Sequence, residues 1–360
     1  MRASVLSGIL GIKRSVKGRE APDTLVSSNY QLAMPRREVF ILIFVFFAIT
    51  LSYASIVLHD RHAPAGKMAP DSITNYIFKG IGKIVPPSII ISDCVFVTSE
   101  PGKFIYESQS DEPTVCGVYL ITDPDKRIEV NFLSFDVPCE QDGLVSFVDG
   151  WELNGEFFPS ENDHELPFEK RVTEFCGSRV SHTFLSSQNS ALVQYKIPVK
   201  GKGFTMFVRY RKNPFPCNIL VNSTMDTFTL RNFGERKNCT LATIYPSAVQ
   251  IVALNVGTKK LEGLNYLRQL DSGIIHHCDK HRLMDQVLIG GSNGLDTSKF
   301  ELLDSVCGFT SKPERSFKLI GCGVTAIRLT SSGIFDNSIS IFVRPAIDEE
   351  ILNSNLICGL

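Results

Sequence analysis

Ten cysteines constrain this chain more than any other feature: Cys94, Cys116, Cys139, Cys176, Cys217, Cys239, Cys278, Cys307, Cys322 and Cys358, with none earlier. No two of them form the close C-x-x-C pair that structural zinc sites and thioredoxin-type redox sites require. An even number at wide spacing predicts structural disulfides closed in an oxidising compartment. Ten cysteines permit on the order of nine hundred pairings, and the count alone does not choose among them.

An export signal points to the same compartment. The run Val39–Leu58 is almost wholly apolar, and Arg36 and Arg37 precede it. Ser52-Tyr53-Ala54 puts small residues at the two positions a signal peptidase reads, which predicts cleavage after Ala54. The stretch from Met34 reads as a signal peptide complete in itself, so residues 34–54 are expected to be the signal and residues 1–33 an upstream extension. The competing reading is an uncleaved anchor at residues 39–58, because about 20 apolar residues span a bilayer. Ser and Tyr dilute the last third of the run, which favours cleavage. No second apolar span follows, so the rest of the chain lies on one side of the membrane, and a secreted protein is expected. Residues 55–84 read as a linker or lead-in.

From residue 85 onward, short apolar or alternating segments are separated by Gly, Pro, Asn, Asp and Ser clusters. Cys94 to Thr98, Val115 to Thr122, Ile128 to Phe132, Ala191 to Ile197, Phe204 to Tyr210, Phe228 to Leu230, Ser247 to Leu254 and Ser338 to Val343 all read as strands. In the fourth of these, Ala191, Val193, Tyr195 and Ile197 share one face, Gln194 and Lys196 the other, and Leu192 breaks the pattern. Long amphipathic helices are scarce. Glu301 to Val306 is expected to make one or two helical turns, and Glu262 to Leu270 is ambiguous.

An internal repeat relates Asp142 to Gly150, followed by Phe175-Cys176-Gly177, to Asp285 to Gly291, followed by Val306-Cys307-Gly308. The chain is therefore read as all-β, with two related antiparallel β-sandwiches. They are expected over residues 85–212 and 213–360, divided at Asn213-Pro-Phe-Pro-Cys217, where two prolines forbid a regular element.

Several strings mimic catalytic or metal motifs. Gly290-Gly291-Ser292-Asn293-Gly294 matches G-x-S-x-G, but the last histidine, His281, precedes Ser292, so the hydrolase order is not met. His164-Glu165 is followed by Leu166 and Pro167, which removes the helix and the second histidine of a zinc protease. His276, His277, Cys278 and His281 carry metal-ligand chemistry, but a thiolate ligand requires a free Cys278. No catalytic residue, metal or cofactor is predicted. The net charge of −1, with mixed signs throughout, gives no basic field for gripping nucleic acid. Asn222-Ser223-Thr224 and Asn238-Cys239-Thr240 are glycosylation sequons, which suits export.

The run Val148-Asp149-Gly150-Trp151 through Phe158-Pro159-Ser160 and His164 to Phe175-Cys176 resembles the corticotropin-releasing factor-binding protein family. So do Ser186-Ser187-Gln188-Asn189, Phe215-Pro216-Cys217-Asn218, Asn238-Cys239-Thr240, Ile244-Tyr245-Pro246, Gly290 to Lys299 and Cys358-Gly359-Leu360. The resemblance covers roughly residues 90 to 360. It implies CUB-like sandwiches and a secreted glycoprotein that sequesters a peptide hormone of the corticotropin-releasing-factor or diuretic-hormone type. It also implies nearest-neighbour disulfides and a glycan at Asn238, while leaving Asn222 unsupported. CUB domains often bind calcium. Asp149 falls where one ligand is expected, but Gly143 takes the usual acidic place beside Asp142, and Pro198-Val199 replaces the acid after strand 191–197. No calcium site is expected, since a hard cation wants several oxygens in one cage. The alternative function, of another class, is a membrane-anchored adhesion or matrix module held by an uncleaved 39–58 anchor. No residue is assigned to a ligand groove.

Overall fold

Residues 88–222, 225–257 and 272–359 are described by a computed structural model. The expected extension, signal and lead-in of residues 1–84, and the ambiguous 262–270 segment, lie outside the described residues.

The first half runs β1 (Ser88–Ile90), β2 (Val95–Thr98), β3 (Gly102–Glu107), β4 (Val115–Ile121), β5 (Lys126–Asp136), β6 (Leu144–Asp149), β7 (Trp151–Leu153), β8 (Glu156–Phe158), α1 (Phe168–Arg171), β9 (Val172–Phe175), β10 (Thr183–Leu185), β11 (Ser190–Lys196) and β12 (Gly203–Lys212). The second runs β13 (Ile219–Leu220), β14 (Asp226–Arg231), β15 (Cys239–Thr243), β16 (Ser247–Val256), β17 (Gly273–His276), β18 (Gln286–Ser292), β19 (Glu301–Thr310), β20 (Lys318–Ile320), β21 (Val324–Thr330), β22 (Ser338–Pro345) and α2 (Asp348–Leu352).

In the first half two five-stranded sheets, β1-β3-β12-β5-β10 and β2-β4-β11-β6-β9, face each other. Period-two alternation forces this packing: Phe204, Met206 and Val208 of β12 are buried with Val118, Leu120, Ala191, Val193 and Tyr195 of the opposite sheet. The second half follows one hydrogen-bonded path, β13-β15-β21-β18-β19-β16-β22-β14, with β17 added on β19 and β20 on β16. Its core holds Phe228, Leu230, Ile251, Val287, Ile289, Ile327, Leu329, Ile339 and Ile341.

The repeat is visible strand by strand. The order β2-β4-β11-β6-β9 matches β13-β15-β21-β18-β19, and in each the first strand joins its neighbour in parallel. The disulfides follow it. Cys94–Cys116 and Cys217–Cys239 both have a separation of 22 and staple the parallel pair. Cys139–Cys176 and Cys278–Cys307 close loops of 37 and 29 residues. Cys322–Cys358, with a separation of 36, has no counterpart and ties the C-terminal tail to the β20–β21 turn. Every cysteine is thus bonded to its sequence neighbour, within its own half. Loops of this size contribute about 3–4 kcal/mol each in the chain-entropy account.

The helical turns expected over Glu301 to Val306 are instead the first half of β19. A helix would place Leu302, Leu303 and Val306 on one face. The pairing of β19 with β18 on one side and β17 on the other overrides that preference. Leu302 is exposed as a result, while Asp304 and Ser305 are buried and bonded to His276 and Asp279.

Leu192 is also explained. It lies on the outer face of its sheet, directly opposite Tyr119 on β4, and is fully buried. A side chain at Gly117 would stand 3.0 Å from both residues, so glycine makes the room. Trp151, on the β7–β8 hairpin, packs its ring edge-on to Tyr119 at 5.2 Å. That outer face is therefore a second apolar layer.

Candidate functional site

The covered outer face is where the two sandwiches meet, within a single unit spanning residues 86–360. Ile121, Trp151 and Phe158 of the first pack with Leu220, Ala242, Leu295 and Val324 of the second. Polar groups frame this patch. Asn189 Nδ2 donates to Thr122 O (2.8 Å) and Leu220 O (2.7 Å), and its Oδ1 accepts from Leu220 N (2.9 Å). Gln188 Oε1 accepts from Asn213 Nδ2 (3.0 Å) and Cys217 N (3.1 Å). Asp163, whose side chain is fully buried, shares the Arg328 Nε hydrogen between its two oxygens (2.9 Å each) and accepts one bond from Nη2 (2.6 Å) and one from Thr240 Oγ1 (2.7 Å). An ion pair this dry persists only because its remaining lone pairs are satisfied. Burial, and then the nearby Glu152 carboxylate, push the Tyr119 phenol up to about 12; its hydroxyl donates to Glu152 O at 3.0 Å.

Beside Asp163 the junction opens into a groove with two lobes. One, of about 570 Å³, is lined by Asn162, His164 and Glu165 from the first sandwich and by Phe215, Glu235, Arg236, Lys237 and Asn238. The other, of about 510 Å³, shares Asn162, Arg236, Lys237 and Asn238 and adds Leu283, Met284, Gln286 and Thr330. Both volumes fall in the range of ligand sites, about 300–1,000 Å³. Phe215 meets Phe233 edge-on at 5.1 Å and remains 56% exposed. Lys237 lies over the Phe233 ring at 5.3 Å and pairs with Glu235 at 3.0 Å. Met284 is 62% exposed. The lining is mainly polar and charged, and Phe215, Leu283 and Met284 supply its aromatic, aliphatic and thioether contacts.

The motif residues named from sequence lie elsewhere or are already engaged. Ser292 ends β18 and its Oγ donates to Gly294 O at 2.6 Å. The glycines of that string serve packing: a side chain at Gly290 would stand 2.0 Å from Glu301 O, and one at Gly294 would meet the Glu156 carboxylate. His164 is buried. Its Nδ1 accepts from Leu166 N (2.9 Å), which leaves Nε2 to carry the proton, 3.3 Å from Asp149 Oδ2. Asp149 also accepts from Ser187 N (2.7 Å) and Ser187 Oγ (2.5 Å). The carboxylate thus sits between serine and histidine, an order that cannot relay a proton from serine to imidazole. Buried Arg171 donates to Asp149 O, and burial holds its pKa down at about 10. In the second sandwich Asp285 accepts from Ser332 N (3.0 Å), Ser332 Oγ (2.6 Å) and Asn337 Nδ2 (2.7 Å). Cys278 is in its disulfide, and His276 Nδ1 pairs with Asp304 at 2.7 Å. Among the described residues no three His, Cys, Asp or Glu side chains are grouped as metal ligands, and no helix is long and apolar enough to cross a membrane.

Asn238 lines the groove, its Nδ2 3.4 Å from Asn162 O. Asn222 is exposed, and Ser223 and Thr224 of its sequon lie outside the described residues. Sequence reasoning missed Phe215, Met284 and Gln286. The Leu283-Met284 pair, apolar yet directly after a charged turn, is the signal that was available.

Residues 90–212 match the family description "corticotropin-releasing factor binding protein N-terminal domain", and residues 219–352 match "corticotropin-releasing factor binding protein C-terminal domain". The corticotropin-releasing factor-binding protein of Ovis aries is 33% identical over 263 residues, covering 73% of this chain and 78% of the relative. That of Homo sapiens is 31% identical over 264 residues, again 73% and 78%. Among solved structures, the CUB1-EGF-CUB2 domains of rat MASP-1 cover 69% of this chain and 99% of that one, at 10% identity and a TM-score of 0.23. At that score the fold reading rests on the sheets themselves.

Proposed function

Because the chain belongs to the corticotropin-releasing factor-binding protein family, we propose that it is a secreted protein that sequesters a corticotropin-releasing-factor-like or diuretic-hormone-like peptide and limits its receptor signalling. The carrying observation is that both domain descriptions match in series, over the same residues that form the two joined sandwiches. The mechanism needs no chemistry. Peptide held by this protein is unavailable to a receptor in proportion to free protein over Kd. Amphipathic hormones of this class are helical when bound and lay their apolar face on apolar anchors.

Titration calorimetry of the protein collected from culture medium, against a corticotropin-releasing-factor-like peptide, tests the reading. Saturable heat with one peptide per chain is expected, and no heat at micromolar concentrations refutes it. Export is supported by the Val39–Leu58 run and the five disulfides. The same run carries the anchored-module alternative, and protein found in the membrane pellet rather than the medium would favour it.

A further inference from the structure

The groove at the junction is lined by the asparagine of a sequon. Asn238 lines both lobes, and its Nδ2 faces Asn162 O of the other sandwich at 3.4 Å. We propose that the natural occupant of this groove is the chain's own carbohydrate: the inner N-acetylglucosamine residues of a glycan on Asn238 pack along it and bridge the two sandwiches.

The fit is chemical as well as spatial. Gln286 lines the second lobe, and its Oε1, which is buried, accepts no hydrogen bond from the protein. A buried acceptor without a donor is destabilising, and a modest turn of the side chain toward the lobe would bring it to sugar hydroxyls and N-acetyl N–H groups, which are donors. Phe215 offers an exposed ring in the first lobe, suited to the C–H face of a pyranose. Asn238 Nδ2 keeps one hydrogen after glycosylation, which is enough to donate to Asn162 O.

The attachment must come early. Thr240, the hydroxyl residue of the sequon, is fully buried and donates to Asp163, and Cys239 is bonded to Cys217. Transfer from a lipid-pyrophosphate donor breaks the sugar C1–O bond to phosphate and forms C1–Nδ2, with the amide losing a proton. That reaction needs an extended, accessible sequon, so it precedes closure of β15 against β21. The sugar is then enclosed as the sandwiches dock.

The proposal depends on export but not on peptide binding, and one experiment separates the two. Full-length protein is collected from the medium of secreting animal cells, and glycosidase release at Asn238 is followed by peptide mapping, native against reduced and unfolded. Release from native protein is expected to be at least about tenfold slower. Phe215→Ala and Gln286→Ala, together, are expected to speed native release while leaving the thermal midpoint within a few degrees. Protein found in the medium with a bare Asn238, or equal native and unfolded release, overturns the inference alone. So does unchanged release from the double variant. Protein absent from the secretory pathway overturns the export reading with it.

Discussion

Removing one charge from the Asp163–Arg328 pair should loosen the junction more than removing both. Asp163 is fully buried and Arg328 is 15% exposed, with three N–O contacts between 2.6 and 2.9 Å. Arg328→Met leaves a dry carboxylate whose one remaining side-chain donor is Thr240, and breaking a buried pair in this way costs about 3–5 kcal/mol. Asp163→Asn strands a guanidinium that reaches a little water, so its cost lies near the lower end, about 3 kcal/mol. The double variant keeps the Thr240 bond, now to the amide oxygen of the introduced asparagine, and carries no charge. It should lose only the hydrogen bonds to Arg328, about 1–3 kcal/mol, which gives a coupling of at least about 3 kcal/mol. Trp151 is the single tryptophan, lies in the junction and is 5% exposed, so its fluorescence reports separation of the sandwiches directly. With a urea slope near 3 kcal/mol/M, 3 kcal/mol corresponds to a midpoint shift of about 1 M. Single variants that shift the midpoint by less than about 0.3 M, or a double variant whose shift equals their sum, would refute the reasoning.

Three further outcomes follow from the geometry. Glu350 accepts from Arg344 (2.6 and 2.7 Å) and from Ile347 N, chiefly the former holding its carboxyl down at about 2 against an ordinary 4.5. A depressed acid stabilises above its unfolded value, so the hold on α2 should be complete above pH 4.5 and vanish as pH falls toward 2; amide exchange across Asp348–Leu352 reads it. Gly290→Ala puts a carbon 2.0 Å from Glu301 O and should cost about 1–3 kcal/mol or more in thermal unfolding, whereas Ser292→Ala should cost no more than about 1.5 kcal/mol and leave peptide affinity unchanged. Tyr119, raised by burial, should show no phenolate absorbance below about pH 11 in native protein, and the stability it contributes is present below 10 and lost as pH passes 12; Tyr119→Phe identifies its share of the titration.

The strands could be read because short apolar or alternating runs stand between turn residues, as Ala191 to Ile197 does, and the cysteines because wide spacing and even number favour disulfides over metal and redox uses. Glu301 to Val306 misled because Leu302, Leu303 and Val306 fit a helical period equally well; only pairing with β18 and β17, distant in sequence, decides. Leu192 looked like an error in a strand and is instead the signature of a second buried face. The groove was not legible at all. Its walls come from residues 162–165, 215–217, 235–238 and 283–286, four stretches far apart in sequence, and the apolar Leu283-Met284 pair is the one local hint among them. Of its parts, Asn238 could be named for a chemical role, because a sequon is a local pattern.

Asn189 places an unusual restriction on genetic drift. Its carboxamide occupies the place a peptide group would take in a continuing strand, giving two hydrogens to Thr122 and Leu220 and taking one from Leu220. Aspartate has the acceptor and no hydrogens, leucine has neither, and glutamine holds the same group one carbon too far out. A gene that keeps these two halves joined in this way therefore has two usable codons at this position, and a lineage that loses them must join its halves by other means.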